Sequence, residues 1–231
     1  MKLYLLLFLF VFYNLVGAQS IPSYQGKVPI IDNVQDYISA TKKDQNQSLL
    51  NLKEIIPKLK LDIRYAGRNN FMHAKMYSSA TAYLVRPAAM ALKKISDALN
   101  KKGIGLIIYD AYRPYSVTVK FYKLVHDSDF VASPRFGSKH NKGCAVDLGL
   151  YDLASGKTLE MPTDFDSFSK EAASNYSNLP EIEIKNRELL SEIMQEYGFH
   201  PLKTEWWHFD YNNPTPFPPL DISFENLKKI H

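Results

Sequence analysis

Ser138-Lys-His140-Asn-Lys-Gly143-Cys144-Ala145-Val-Asp147 sets an imidazole and a carboxylate seven positions apart. Far downstream, Glu205-Trp206-Trp207-His208 adds a second imidazole with a carboxylate three residues before it. Zinc that does chemistry is usually held by three protein ligands drawn from His, Asp, Glu and Cys, with a further position left for water. His140, Asp147 and His208 fit that count, and Glu205 is left over as a base. Residues three apart in an ideal strand point to opposite faces. Glu205 and His208 can therefore share one pocket only if the backbone bends, bulges or turns between them.

The surrounding pattern places this set on a sheet. Residues 145–151 alternate around Val146, Leu148 and Leu150, which predicts a strand with Asp147 facing the site. Residues 87–102 read as a helix: Pro87 suits its first turn, Ala88, Ala91, Leu92, Ile95, Ala98 and Leu99 recur at helical spacing, and Gly103 can end it. Residues 104–109 form an apolar run of strand length closed by Asp110-Ala-Tyr-Arg113-Pro114, and Pro114 opens a second helix through about Val125. Leu61-Asp-Ile-Arg-Tyr65 alternates like a strand. Residues 152–180 read as a long loop, 186–197 as a helix closed by Gly198, and 199–211 as a strand pair or bent strand. Residues 19–47 read as a peripheral arm, and the Pro-rich 214–219 stretch as a peripheral tail. The order of elements predicts one α+β domain, its mostly antiparallel central sheet flanked by helices and carrying the zinc site.

Met1-Lys2 followed by an apolar run to Val16 and by Gly17-Ala18-Gln19 has the form of a secretory signal peptide over residues 1–18. The expected location is periplasmic or secreted, with no stable membrane insertion after its removal. The remaining chain suits one domain, the catalytic one over residues 48–231. A formal charge of +4, with basic and acidic residues interspersed, argues against a nucleic-acid surface. Cys144 is the sole cysteine, so no intramolecular disulfide supports the fold. Between Gly143 and Ala145 it reads as a small buried filler rather than a nucleophile. Arg113 has two readings at this level, an ion-pair partner of Asp110 or a functional cation.

Ser138-x-His140-x-x-Gly143-x-Ala145-x-Asp147 with Glu205-x-Trp207-His208 resembles the zinc D-alanyl-D-alanine peptidases, and more closely the VanX-type D-alanyl-D-alanine dipeptidases. Leu61-Asp-Ile-Arg-Tyr-Ala66 with Asn69-Asn-Phe71, Asp110-Ala-Tyr-Arg-Pro114 and Met161-Pro-Thr-Asp-Phe-Asp166 resemble further motifs of that family. Where its substrate-gating loop usually has Gly after the Met, this chain has Pro162. The resemblance implies one zinc ion per chain on His140, Asp147 and His208, with Glu205 as general base and then acid. It also implies that Arg113 stabilises the oxyanion, that Ser138 lines the substrate pocket, and that Asp166 pairs with the ammonium of a small dipeptide, D-Ala-D-Ala. A D,D- or L,D-carboxypeptidase of peptidoglycan stems, or a non-catalytic zinc-stabilised binding module, are the competing expectations.

Overall fold

The computed structural model describes residues 28–125, 131–213 and 217–230. The expected signal peptide lies outside them. Among the described residues no helix is long and apolar enough to cross a membrane.

In chain order the elements are α1 (Val34–Lys43), β1 (Leu49–Asn51), α2 (Leu52–Ile55), β2 (Lys60–Leu61), β3 (Tyr83–Val85), α3 (Arg86–Asn100), β4 (Ile104–Asp110), α4 (Tyr115–Val125), β5 (Ala145–Asp152), α5 (Glu181–Glu196), β6 (Phe199–Pro201), β7 (His208–Tyr211) and α6 (Phe224–Ile230). Five strands make one sheet in the order β2-β4-β5-β7-β6, and β1 pairs with β3 in a separate ribbon. Only the β2–β4 pairing within the five-stranded sheet is parallel. This is the mixed α+β domain with a mostly antiparallel sheet that the patterning predicts.

Helix α3 forms where the sequence places it. Its Ala88, Leu92, Ile95 and Leu99 are fully buried, each large one worth roughly 1.5–3 kcal/mol on transfer from water, while Lys93 pairs with Asp97 on the outer face. Strand β4 is buried from Gly105 to Asp110, which explains its unbroken apolar run: a central strand covered on both faces has no polar side to show. Gly103 (φ +76°) and Gly198 (φ +86°) close α3 and α5 in the left-handed conformation that favours glycine.

Four expectations need correction. Extended pairing after β2 reaches only Asp62, whose N–H donates to Ile108 O, and residues 64–66 turn as a 3₁₀ helix. The Arg64 Nε–Asp62 ion pair, 2.7 Å across two residues, closes this turn, which local alternation did not reveal. The arm contains α1, capped by Asn33 and anchored by buried Tyr37, whose hydroxyl accepts from Leu49 N. The described part of the tail, residues 217–219, is not peripheral: Phe217 and Pro219 are buried, and just beyond them Leu220 N donates to Asn141 O, Ile222 is buried and α6 follows. Helix α5 begins five residues earlier than expected, at Glu181, because acidic residues in a first turn suit the helix dipole yet show no apolar period.

Candidate metal and active site

One row across the middle of the sheet carries the site. Asp110 of β4 stands opposite Asp147 of β5, and Asp147 opposite His208 of β7. The β4–β5 register shifts between Ile108 and Asp110, an irregularity that re-aims Asp110 into this row. The bend required between Glu205 and His208 is a reverse turn, with His208 N donating to Glu205 O at 3.4 Å before β7 begins. Glu205 Oε2 then lies 3.8 Å from His208 Nδ1.

His140 reaches the row from a 3₁₀ turn (His140–Lys142) that ends on Gly143 at φ +62°. A Cβ there would lie 2.5 Å from Leu49 Cδ2 and 3.1 Å from Val85 N, so glycine is required for both conformation and space. Ser138 Oγ accepts from His140 N. Asn141, fully buried, accepts from Ser138 N and donates to Arg113 O and Thr118 Oγ1, tying the loop to α4.

Three ligand atoms converge. His140 Nε2 is 3.2 Å from His208 Nδ1 and 3.5 Å from Asp147 Oδ1, and His208 Nδ1 is 3.0 Å from Asp147 Oδ1. Metal–ligand bonds of about 2.0–2.1 Å at tetrahedral angles give ligand separations of about 3.3 Å, so this triangle fits zinc. The outer nitrogens support the same conclusion. His140 Nδ1 donates to Ala111 O at 2.7 Å, and His208 Nε2 donates to Asp210 Oδ1 at 3.1 Å. Each ring, with its outer N–H tied, therefore turns its other nitrogen toward the same point. Two nitrogens and a carboxylate facing each other this closely need a cation among them, a proton on His208 Nδ1 in the metal-free protein or a metal ion in its place.

The electrostatics follow from this crowding. Asp147 is held well below the usual carboxylate range: burial opposes ionisation, but the two imidazoles outweigh it. Burial works against a charged His208 too, yet the hydrogen bonds it donates to Asp147 and Asp210 raise its pKa well above the ordinary value, so a metal would displace a proton from Nδ1. Glu205 is raised chiefly by burial, with His208 pulling the other way.

Around the triad, Arg113 Nε and Nη2 both donate to Asp110 Oδ2, at 3.1 and 2.7 Å. Asp110 is fully buried and also accepts from Tyr77 Oη and Ala111 N. Paired with Asp110, Arg113 also lines the cavity that holds the triad. The guanidinium sits 4.8 Å from the Phe121 ring centre and 5.5 Å from that of Tyr65.

Asp166 is brought into the same cavity, about 300 Å3 in volume, which Ser138, Arg113, His140, Asp147, Glu205 and His208 also line. Its backbone is left-handed at φ +63°, unusual away from glycine and worth of order 1 kcal/mol of strain. Tyr65 Oη donates to both its oxygens, at 3.0 and 2.9 Å. Burial, followed by the Asp147 charge, pushes Asp166 up to about 8. Despite Pro162 the loop is well anchored: Phe165 stacks on Tyr109 and meets Trp207 edge-on, and Trp206 Nε1 donates to Thr163 Oγ1. Cys144 is buried, its Sγ donates to Lys142 O, and burial raises its thiol to about 11, as suits a filler.

Sequence reasoning quoted Tyr65 within a motif without giving it a task. It missed Asp210 entirely, although residues two apart on a strand share a face and His208 was already in hand.

The Peptidase M15 family, described as D-ala-D-ala dipeptidase, matches residues 45–229. The chain belongs to this family. It is a metallopeptidase. Among curated relatives it is 32% identical over 176 residues to the D-alanyl-D-alanine dipeptidase of Escherichia coli (strain K12), covering 76% of this chain and 91% of that protein. It is 25% identical over 193 residues to the D-alanyl-D-alanine dipeptidase of Enterococcus faecalis (strain ATCC 700802 / V583), covering 75% and 95%. A solved vancomycin-resistance D,D-dipeptidase in complex with a D-Ala-D-Ala phosphinate analogue aligns at 19% identity over 71% of this chain and 66% of that one, with a TM-score of 0.37.

Proposed function

We propose that this metallopeptidase hydrolyses free D-Ala-D-Ala to two D-alanines, using one zinc ion per chain, and that it works outside the cytoplasm in peptidoglycan turnover. The observation that carries the reading is the convergence, on one cavity, of three metal-ligand donors, the Glu205 carboxylate, an arginine held by Asp110 and a second carboxylate, Asp166. The relatives' names supply the substrate. The signal-like segment over residues 1–18 supports export.

Zinc on His140, Asp147 and His208 would supply Lewis acidity, making a water more acidic and a carbonyl more electrophilic. Glu205 accepts a proton from the attacking water as the new C–O bond forms at the peptide carbonyl. Burial raises its pKa above the ordinary carboxylate value, in the direction that strengthens a general base. As the C–N bond breaks, Glu205 returns that proton to the leaving nitrogen and is restored. Arg113, held by Asp110, presents permanent positive charge to the oxyanion. Asp166 pairs with the substrate's ammonium group, and Tyr65 fixes where that carboxylate stands. Ser138 lines the pocket beside His140. Phe71, Phe121 and Phe168 line the cavity with apolar surface.

The test compares D-alanine release by zinc-loaded protein from D-Ala-D-Ala and N-acetyl-D-Ala-D-Ala, with L-alanine release from L-Ala-L-Ala followed in parallel. Cleavage of the free D,D-dipeptide alone is expected. Equal turnover of the acetylated form would replace this reading with a carboxypeptidase, and no turnover with zinc bound would replace it with a binding module.

A further inference from the structure

Asp210 stands outside the ligand set and belongs to none of the motifs in the sequence. It lies two residues beyond His208 on β7, so both side chains leave the same face of the strand, while Phe209 between them is fully buried on the other. Its backbone is held on both sides, opposite Ala145 of β5 and opposite His200 of β6. Ala145 has only a methyl group, which leaves room beside it for the carboxylate to reach the imidazole edge. Asp210 Oδ1 accepts from His208 Nε2 at 3.1 Å.

The same demand is met differently at the other imidazole. His140 Nδ1 donates to the main-chain carbonyl of Ala111, a neutral acceptor that no side-chain replacement can remove. The two histidines thus share one arrangement, with the outer N–H tied and the inner nitrogen aimed at the ligand point, but only the outer N–H of His208 is hydrogen-bonded to a carboxylate; the Asp110 carboxylate lies 3.9 Å from His140 Nδ1. A carboxylate on the outer N–H makes the inner nitrogen more basic and locks the ring plane. Without it, His208 could rotate about its side-chain bonds or carry its proton on Nδ1, and either change removes a donor from the triangle.

We propose that Asp210 is a positioning residue for the metal, one that selects the Nε2–H tautomer of His208 and aims Nδ1 at the point shared with His140 and Asp147. The proposal rests on the zinc reading of that triangle. A purely structural role for Asp210, as a half-exposed ion pair at the sheet face, would contribute to folding and leave metal affinity untouched.

The experiment measures zinc affinity of the metal-free protein by competition with a chromophoric chelator, for the parent, Asp210→Ala, Asp210→Asn and His208→Ala. Asp210→Ala is expected to weaken zinc binding about 10–100-fold, with little change in the melting temperature of the metal-free protein. Asp210→Asn keeps an oxygen that can accept from Nε2 and is expected to lose only a few-fold, which also covers the case in which the alanine variant does not fold. In the zinc-loaded parent, His208 should show a slowly exchanging Nε2–H proton resonance that is absent in Asp210→Ala. Asp210→Ala affinity within twofold of the parent, while His208→Ala loses binding, would overturn the proposal and leave the metal reading standing. Failure of the parent itself to bind zinc would overturn both.

Discussion

Replacing Tyr65 by Phe removes one atom from the cavity wall and tests how Asp166 is made ready for its ligand. The ring is 2% exposed and packs against Phe71, Tyr77, Phe121 and Phe165, so Phe retains the packing. What disappears is the hydroxyl proton shared by the two Asp166 oxygens. A hydrogen bond to a charged group contributes about 1.5–3 kcal/mol, or about 10- to 150-fold in an equilibrium constant at 1.4 kcal/mol per decade. Asp166 meets the ammonium before and during bond cleavage alike, so the loss belongs in KM with kcat nearly unchanged.

The pH dependence gives an independent sign. Tyr65 opposes the burial and the Asp147 charge that raise Asp166, so Tyr65→Phe moves the carboxyl still higher. Only ionised Asp166 pairs with an ammonium group, so KM should fall as pH rises through its titration. A cation in the triad offsets the Asp147 charge and moves the parent's limb below the metal-free value of about 8. The variant's limb should lie higher than the parent's. Steady-state D-alanine release from D-Ala-D-Ala between pH 5 and pH 8 reads both effects. A KM within twofold of the parent together with an unmoved limb would refute the reasoning.

Glu205→Gln should lower kcat by roughly 10²- to 10⁴-fold, the usual contribution of a positioned acid–base group, while zinc content stays at the parent's level. Activity within tenfold would remove Glu205 from its assigned task. Asp166→Asn addresses stability in the metal-free protein. Because folding raises Asp166 from 3.8 to about 8, the parent's stability is fully present below about pH 4 and declines as pH climbs toward 8. The Asn variant should escape that decline, which urea unfolding at pH 4 and pH 8 would show as a gap that widens at the higher pH; an equal gap at both would count against it. Gly143→Ala should destabilise the protein by about 1–3 kcal/mol, since both the left-handed backbone and the contacts with Leu49 and Val85 resist a methyl group. Thermal unfolding indistinguishable from the parent's would mean that the loop relaxes freely.

Some of this protein is decided locally and was legible in the sequence. Helix α3 announces itself because Ala88, Leu92, Ile95 and Leu99 repeat at the period of the helix that buries them. Strand β5 alternates, and Gly103 and Gly198 stand where a helix end needs a left-handed residue. The reactive set could also be named, since few arrangements other than a metal site use two imidazoles with two nearby carboxylates. What the sequence could not decide was how residues 37 to 101 positions apart meet. The row Asp110–Asp147–His208 depends on the register of three strands, and the placement of Asp166 depends on Tyr65 reaching it across 101 residues. Phe217 sits in a stretch that reads as a peripheral tail because the chain is held there by distant partners: just beyond it Leu220 N donates to Asn141 O, and Ile222 exchanges hydrogen bonds with the Tyr112 hydroxyl. Local pattern records which face of an element is apolar. Only the assembled sheet determines which polar groups confront one another across it, because their separations are fixed by strand pairing and not by spacing along the chain.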